Sequence, residues 1–391
     1  MRRILGGIAA GLAVSFAVLA LVDAARGTSH KHAKLVAEDA SAPLSRIAIH
    51  YAPNSDRVAM GVWKQLFAVL PARVDVQVEV AQARDFDRLI AALRAAGTPH
   101  LERFHPVVVG VPITTWSRDR YAALVDVAGD GSILAPPRVE TPFVGRAGDA
   151  SSPAAISRAL YHREPRTANI VFEGGDLAAT PRFVFADVNL QARNVGRGAA
   201  DRATIERELR GDFAQELIWL GDEVGEVPRH HIMMYMVPLD DRTIAVGDVR
   251  AGVALLGADT TLALDQAAPP FGGAEGRAQV PALDDVDVQA ARFDRAAALL
   301  AARGFEIARV PVLVLKGGGS FVTYTNALFD RTADGRRVVY LPTYSQPALD
   351  EAAAAFYRAR GFEVHPIDVT PIYGLNGSLG CLVNVLARSS P

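Results

Sequence analysis

Apolar and polar residues follow two alternating periods along this chain. A stretch with the helical period is followed by a short apolar stretch typical of a strand, and this order recurs five times. The predicted helix and strand pairs are 85–96 with 106–112, 154–161 with 169–172, 202–216 with 217–220, 287–303 with 307–315, and 350–360 with 364–369. The sequence therefore predicts an internally repeated α/β fold.

Further elements surround these five pairs. Residues 46–51 and 74–80 have the pattern of strands, with an amphipathic helix at 58–70 between them. Hairpins are predicted at 122–135 and from 336 onward. The strand at 106–112 is wholly apolar, so we expect both of its faces to be buried.

A polar, aromatic or glycine-rich stretch follows the short strand of each unit. These stretches are 114–120, 173–176, 230–231, 316–320 and 374–381. Ligands in α/β folds collect beyond the carboxyl ends of such strands. If the units surround an axis, the five stretches meet at one place. A long Ala-, Gly- and Pro-rich stretch at 258–282 is expected to be a surface loop that could cover the site as a lid.

The N-terminus has the features of an export signal. Two arginines precede an uncharged apolar run at 4–22, and a small-residue cleavage site follows at 22–24. We expect residues 1–24 to be a signal peptide or an uncleaved membrane anchor, and 25–44 to be a linker. The folded part is then periplasmic or extracellular, or anchored to a membrane by residues 4–22.

The composition limits the classes of partner and the kinds of chemistry that the chain can have. The chain has 391 residues, half of them apolar, and a formal net charge of −2. The absence of a basic block argues against nucleic acid as a partner. Cys381 is the single cysteine, so no intramolecular disulfide can form. It is either a small buried hydrophobe or a nucleophile, because a glycine-rich turn precedes it and an apolar, strand-like run follows it.

The loop stretches together contain a set of groups suited to a planar cationic carbon. Asp119, Glu173 and Asp176 are carboxylates, His231 or His230 is a general acid and base, and Cys381 is a thiol. Carboxylates bind the N–H groups of a guanidinium in pairs, a thiolate adds to its carbon, and histidine protonates the departing ammonia. The residues alone therefore favour chemistry on a guanidino compound.

In this order the stretches resemble the guanidine-modifying (pentein) superfamily, and within it the branch of agmatine deiminases and bacterial-type peptidylarginine deiminases. The resemblance covers about residues 45–388 and is carried by Trp116-Ser117-Arg118-Asp119, Phe172-Glu173-Gly174-Gly175-Asp176, Gln191-Ala192-Arg193-Asn194, the region 229–240, the segments 323–326 and 341–344, and Cys381.

The resemblance implies a five-bladed α/β propeller with pseudo-five-fold symmetry over residues 45–388. It implies four catalytic residues, namely Cys381 as the nucleophile, His231, Asp119 and Glu173. It places Trp116, Arg118, Asp176, Met233, Asn326 and Gly377 at the substrate. It implies no metal, no cofactor, and a small guanidino compound or a peptidyl-arginine as the partner.

Three positions depart from the family pattern. Met233 stands where the family has the second aspartate of its guanidinium clamp, Gly380 where it has a histidine, and His230 where it has a glycine. The loss of a clamp carboxylate predicts weak turnover of agmatine and free arginine, and Met233→Asp is expected to improve the use of a plain guanidinium. A deiminase, an amidinotransferase and a non-catalytic binding protein therefore all stay open.

Overall fold

The computed structural model describes residues 33–126, 128–137, 146–196, 201–256, 283–316, 320–373 and 375–389. The predicted signal segment at 1–24, the start of the predicted linker, the whole loop at 258–282 and the glycine run at 317–319 lie outside these residues. Within the described ranges, no helix combines the length and the apolar character that a membrane span requires.

Five separate sheets are formed by the described part of the chain. In order of pairing, their strands are Ala33–Leu35, Ala122–Asp126, Gly131–Ala135 and Arg166–Thr167; Glu216–Leu220, Phe183–Asp187 and Ala178–Ala179; Met236–Pro238, Thr243–Asp248, Glu306–Val314 and Phe321–Thr323; Leu328–Arg331, Arg337–Thr343 and Phe362–Asp368; Val383–Arg388, Leu44–Tyr51, Asp75–Val80 and Phe104–Val108. The prediction of a mixed α/β fold is confirmed. Five sheets match the five repeated units, whose closure around an axis stays a prediction.

The α-helices lie between strands, as the periodicity predicts. In the described residues they are Asp56–Val69, Ala83–Ala95, Ser152–Tyr161, Asn189–Asn194, Arg202–Asp212, Val249–Leu256, Val286–Ala301, Pro347–Arg358, Thr370–Tyr373 and Leu379–Leu382. Parallel neighbours need such crossovers, and the strand Leu44–Tyr51 is joined through a helix to its parallel neighbour Asp75–Val80. Helix boundaries follow local chemistry: the Asp285 side chain caps Val286–Ala301 by accepting two backbone N–H groups.

The two ends of the described chain pack together. The strand Val383–Arg388 pairs antiparallel with Leu44–Tyr51. The Arg388 guanidinium donates to the carbonyl oxygens of Ala37 and Ala42, each at 2.7 Å. The last strand therefore holds both the first long strand and the segment that precedes it.

The prediction of a linker at 25–44 is wrong over residues 33–44, because these residues belong to the fold. The strand Ala33–Leu35 pairs antiparallel with Ala122–Asp126. Glu38 is buried and forms an ion pair with Arg118 at 2.6 Å. Small and polar residues suggest a tether, but here they complete a sheet edge and provide a buried carboxylate. The folded part includes residue 33.

Two strand predictions also need correction. Residues 169–172 form a loop, and the strand of that unit is the earlier Arg166–Thr167. The apolar stretch at 106–112 contributes only to Phe104–Val108, an edge strand on which Val108 is 52% exposed. An edge strand has one neighbour and needs only one buried face, so apolar composition alone overstated its burial.

Candidate active site

The polar stretches of several units line one cavity of about 460 Å³. Its walls are Thr114, Trp116, Asp119, Arg146, Glu173, Arg193, His230, His231, Leu375, Asn376 and Cys381. The four residues predicted to be catalytic are all among them. The prediction that they come together is confirmed, although they are separated by up to 262 positions in sequence, from Asp119 to Cys381.

Asp119 is carried by a short 3₁₀ turn, Ser117–Arg120. The Ser117 hydroxyl donates to the carbonyl oxygen of Leu382 at 2.6 Å, which ties this turn to the residue after the cysteine. Arg118 points away from the cavity, where it meets Glu38 and donates to the carbonyl oxygen of Leu177 at 3.0 Å. The turn thus presents Asp119 to the cavity and uses its neighbour as an anchor.

Asp119 shares an arginine with a second carboxylate, an arrangement that we call the Asp119 bridge (Asp119, Arg146 and Asp149). Arg146 Nη2 donates to Asp119 Oδ2, and Arg146 Nε lies 3.3 Å from Asp149 Oδ2. Thr114 fixes Asp149, because its backbone N–H donates to Oδ1 at 2.7 Å and its hydroxyl to Oδ2 at 2.6 Å. The other oxygen of Asp119, Oδ1, is buried and has no hydrogen-bond partner in the part of the chain that the structure describes.

Glu173 has a matching arrangement, the Glu173 bridge (Glu173, Arg193 and Asp176). Arg193 Nη2 lies 3.0 Å from Glu173 Oε2, and Arg193 Nε lies 2.8 Å from Asp176 Oδ2. The Glu173 backbone N–H also donates to Asp176 Oδ2 at 2.7 Å, which closes a compact turn. Unlike Asp119, Glu173 has an additional partner, since His231 Nε2 lies 2.9 Å from Glu173 Oε2.

His231 is held as a cation by its surroundings. Burial lowers the pKa of His231, but hydrogen bonds with Cys381 and Glu173 and the charges of Asp119 and Glu173 raise that pKa well above its ordinary value. The imidazolium therefore contacts a carboxylate, and the thiol lines the same cavity. This is the arrangement that a proton donor to a leaving nitrogen needs.

The pKa of His230 is shifted in the opposite direction to that of His231. Burial, followed by the charge of His231, lowers the pKa of His230 to about 3, so this ring is neutral. Its Nδ1 accepts the backbone N–H of His231 at 2.8 Å. His230 has a φ of 85°, in the left-handed region that favours glycine. The glycine found here in the family pattern thus has a conformational reason, and the backbone geometry is kept although the residue differs.

Cys381 lies in the short helix Leu379–Leu382 that directly precedes the last strand. The thiol is 3% exposed, and its sulfur is 3.8 Å from the side-chain oxygen of Asn326. Ser378, at the start of this helix, is fixed by a 2.7 Å hydrogen bond between its hydroxyl and that of Tyr344. The helix and its supports hold the sulfur at the cavity wall.

Two glycines let rings reach the cavity. A Cβ at Gly175 would lie 2.4 Å from Cγ of His231, and a Cβ at Gly377 would lie 2.2 Å from the Trp116 ring. Real Cβ atoms do not approach so closely. Gly175 therefore makes room for His231 on one side, and Gly377 makes room for Trp116 on the other.

Only one of the six residues predicted to bind substrate, Trp116, lines the cavity. Gly377 supports that ring, Asp176 belongs to the Glu173 bridge, and Asn326 contacts the thiol. Arg118 and Met233 are not on the cavity wall. The Met233 side chain is 2% exposed, so an aspartate introduced there would be buried, which lowers the prospect that Met233→Asp creates a clamp.

Arg146 and the residues that hold it were not identified from the sequence. Thr114 and Asp149 belong to no recognisable motif, and Arg146 carries no spacing signal toward Asp119. Arg193 belongs to a recognised motif, but the sequence assigns no role to its side chain. Among the described residues, no group of three or more His, Cys, Asp or Glu side chains could hold a metal ion.

Several solved structures share this fold. Agmatine deiminase from C. jejuni is 14% identical, with a TM-score of 0.62 over 91% of this chain and 98% of that one. A Cys-to-Ser variant of the C. jejuni enzyme with substrate bound is 15% identical, with a TM-score of 0.63 over 90% and 96%. A Porphyromonas gingivalis protein provisionally named an arginine deiminase is 17% identical, with a TM-score of 0.60 over 90% and 97%.

No protein-family model and no curated protein sequence matches the chain. Identities of 14 to 17% with these solved structures show the fold and leave the activity open. The chain therefore has the fold of these solved agmatine deiminase structures. The resemblance inferred from its motifs is confirmed at that level.

Proposed function

We propose that this chain is a hydrolase of carbon–nitrogen bonds in a guanidino compound, acting through a covalent intermediate on Cys381. One observation carries the proposal: a cationic His231 contacts Glu173 and shares a cavity wall with Asp119 and Cys381, the single cysteine of the sequence. The same fold occurs in agmatine deiminases, which supports this class of chemistry.

The groups present suffice for both halves of such a reaction. The Cys381 thiolate adds to the guanidino carbon, and the new S–C bond gives a tetrahedral adduct. A C–N bond then breaks as His231 gives its proton to the departing nitrogen, which leaves as ammonia. Water next adds to the S-linked carbon and gives a proton to His231, and the C–S bond breaks to release a ureido product and the thiolate.

The carboxylates have separate roles in this scheme. Glu173 stabilises the imidazolium form of His231 through the 2.9 Å contact. Asp119 offers its unpartnered Oδ1 to an N–H group of the substrate. A donor bonded to an ionised carboxylate typically contributes about 1.5–3 kcal/mol, so this contact orients the reacting carbon beside the sulfur.

The Cys381→Ser variant tests covalent catalysis. Ammonia release from agmatine, arginine, peptidyl-arginine, methylated arginines and substituted guanidines first identifies the substrate that is used best. Cys381→Ser should then lower turnover by about 1,000-fold or more, because a neutral hydroxyl needs a stronger base than this site contains. A retained circular dichroism spectrum and melting temperature provide the control for folding.

Intact-mass analysis adds a direct measurement of the intermediate. Rapidly quenched wild-type protein should gain the mass of the amidino fragment, and Cys381→Ser should not. Equal turnover by the two proteins contradicts the proposal. Binding of a guanidino compound without any ammonia release would favour the alternative, a binding protein that has kept the fold.

The arrangement of the fold and the location of the protein belong to the same proposal. We propose that the five sheets surround the cavity as five blades, since loops from several units reach it. We also propose that residues 1–24 direct export. A reporter enzyme that is active only outside the cytoplasm, fused after His32, should then be active. A silent reporter that is present in full amount contradicts export.

A further inference from the structure

We infer that the site accepts its reacting group uncharged, because Arg146 already occupies the cationic position at Asp119. The inference rests on the proposed function and deepens it by naming a substrate class: guanidines whose substituent, such as an acyl, cyano or nitro group, keeps them neutral near pH 7. Arg146 is thus a specificity-determining residue, and a plain alkylguanidinium is a poor ligand.

Arg146 is built into the wall of the cavity. Its side chain is 15% exposed and joins Asp119, which is 5% exposed, to Asp149, which is fully buried. Burial lowers the pKa of Arg146, but Asp119, Glu173 and Asp149 raise that pKa above its ordinary value, so the guanidinium keeps its charge. A ligand cation at Asp119 would have to displace this guanidinium from Oδ2 or lie directly beside it at Oδ1.

Asp149, which anchors Arg146, is held in place by a network of buried residues. The carbonyl oxygen of Thr114, whose N–H and hydroxyl hold Asp149, lies 2.9 Å from Nδ1 of His50. His50 Nε2 lies 3.0 Å from the Ser152 hydroxyl, which in turn donates to Glu79. These side chains are fully buried. Moving Asp149 aside to release Arg146 would break this network, so displacement by a ligand is costly.

Each carboxylate at the cavity already faces a cation. Asp119 and Asp149 face Arg146, and Glu173 and Asp176 face Arg193 and the His231 cation. A guanidinium entering beside Arg146 would bring a further positive charge into a buried site, where like charges repel strongly. A neutral group meets no such repulsion.

Asp119 still offers an acceptor to a ligand. Its Oδ1 is buried without a partner among the described residues and is adjacent to the bond that Arg146 makes with Oδ2. An uncharged amidino N–H satisfies this oxygen without competing for Arg146. The proton count also closes: the thiolate adds, the imidazolium gives its proton to the leaving ammonia, and a neutral S-linked isothiourea remains.

Binding to the Cys381→Ser protein tests the inference without turnover. The probes are propylguanidinium and N-propyl-N′-nitroguanidine, which have the same alkyl group but differ in charge. Calorimetry near pH 7 should show the neutral probe binding at least about 10-fold more tightly. Adding Arg146→Met should tighten propylguanidinium binding by about 10- to 100-fold, the worth of one charge-assisted bond, and change the neutral probe less than about 3-fold.

Two further variants are controls. Arg146→Lys keeps the cation and should keep the preference for the neutral probe. Arg158→Met removes the same charge from the surface, where Arg158 pairs with Glu164 and both side chains are 64% exposed, and should change neither affinity. If Arg146→Met does not fold, the two probes with the parent protein and with Arg146→Lys decide the question.

The inference is overturned if the parent protein binds propylguanidinium as tightly as the neutral probe, if neither probe binds, or if a folded Arg146→Met leaves propylguanidinium affinity unchanged. Its failure is distinguishable from failure of the proposed function. Absence of ammonia release from every guanidino compound, with the binding pattern intact, removes the hydrolase and leaves the charge preference standing.

Discussion

The Asp119 bridge and the Glu173 bridge are built from the same kinds of residue, but the pKa values of their cavity carboxylates are shifted in opposite directions. Each joins a cavity carboxylate to a second carboxylate through an arginine. Burial and the charge of Glu173 raise the pKa of Asp119, although Arg146 opposes this. Burial also acts to raise the pKa of Glu173, but His231 and Arg193 lower it well below its ordinary value.

The difference comes from the number of cationic partners. Glu173 contacts both Arg193 and His231, whereas Asp119 contacts only Arg146 and keeps one oxygen unpartnered. Glu173 therefore has two cationic partners, and Asp119 keeps an oxygen that a ligand can use. In the proposed reaction, the Glu173 bridge holds the proton donor and the Asp119 bridge recognises the substrate.

The largest expected contrast is between Glu173→Gln and Asp119→Asn. Glu173→Gln weakens two charge-assisted contacts, each worth about 10- to 150-fold, so we expect a loss in kcat/KM of about 1,000-fold. Asp119→Asn affects one substrate contact and should cost about 10- to 150-fold, mainly in KM. The measurements are steady-state kinetics on the best substrate and the His231 pKa by NMR.

The pKa of His231 can be measured by NMR in both variants even when no substrate is known. The pKa of His231 should fall in both variants, and further in Glu173→Gln, because Glu173 accepts a hydrogen bond from the imidazole and Asp119 acts only through its charge. Equal shifts in the two variants would mean that the bridges are interchangeable.

The next contrast concerns the glycines behind the two rings. Gly175→Ala displaces His231 on the Glu173 side and should lower kcat, whereas Gly377→Ala displaces Trp116 on the Asp119 side and should raise KM. Each should also lower the free energy of unfolding by about 1–3 kcal/mol through overpacking. Denaturant unfolding and steady-state kinetics measure both effects.

A matched control is Gly61→Ala in the helix Asp56–Val69. A Cβ there meets nothing within 4 Å. The substitution should therefore raise the free energy of unfolding by about 0.5–1 kcal/mol. If Gly175→Ala and Gly377→Ala behave like this control, the close approaches of the rings do not matter.

The last contrast concerns the neutral His230. Its pKa of about 3 lies below the value of about 6.5 in an unfolded chain, so unfolding takes up a proton between these pH values. The stability that it contributes is present above pH 6.5 and is lost as pH falls toward 3. The loss is at most about 1.4 kcal/mol per pH unit.

His230→Asn should flatten this part of the pH dependence. Asparagine also tolerates the left-handed backbone and offers an acceptor to the N–H of His231. The measurement is the difference in free energy of unfolding between the two proteins from pH 7 to 4. A difference that does not change with pH would show that His230 is not held neutral.

Periodicity and motif order were enough to predict the six described helices of ten or more residues, most strands and the meeting of four catalytic candidates. These features depend on local burial and on one loop per unit, which a single sequence contains. The strand Ala33–Leu35 was missed because it has only three residues and its partner, Ala122–Asp126, is nearly 90 residues away. The cavity charges were missed for a related reason. Arg146 pairs with Asp119 through the folded chain, and nothing in their spacing indicates which arginine faces which carboxylate.

The contacts of Arg388 also bear on how the chain matures during synthesis. Its bond to the carbonyl oxygen of Ala42 joins residues 346 positions apart. At a synthesis rate of about 5–20 residues per second, the N-terminal segment waits roughly 20 to 70 s for this partner. During that time one edge of the strand Leu44–Tyr51 is unpaired. The finished sheet therefore depends on the strand Val383–Arg388, and the nascent chain stays open to chaperones and other unfolded-state binders until these residues have been made.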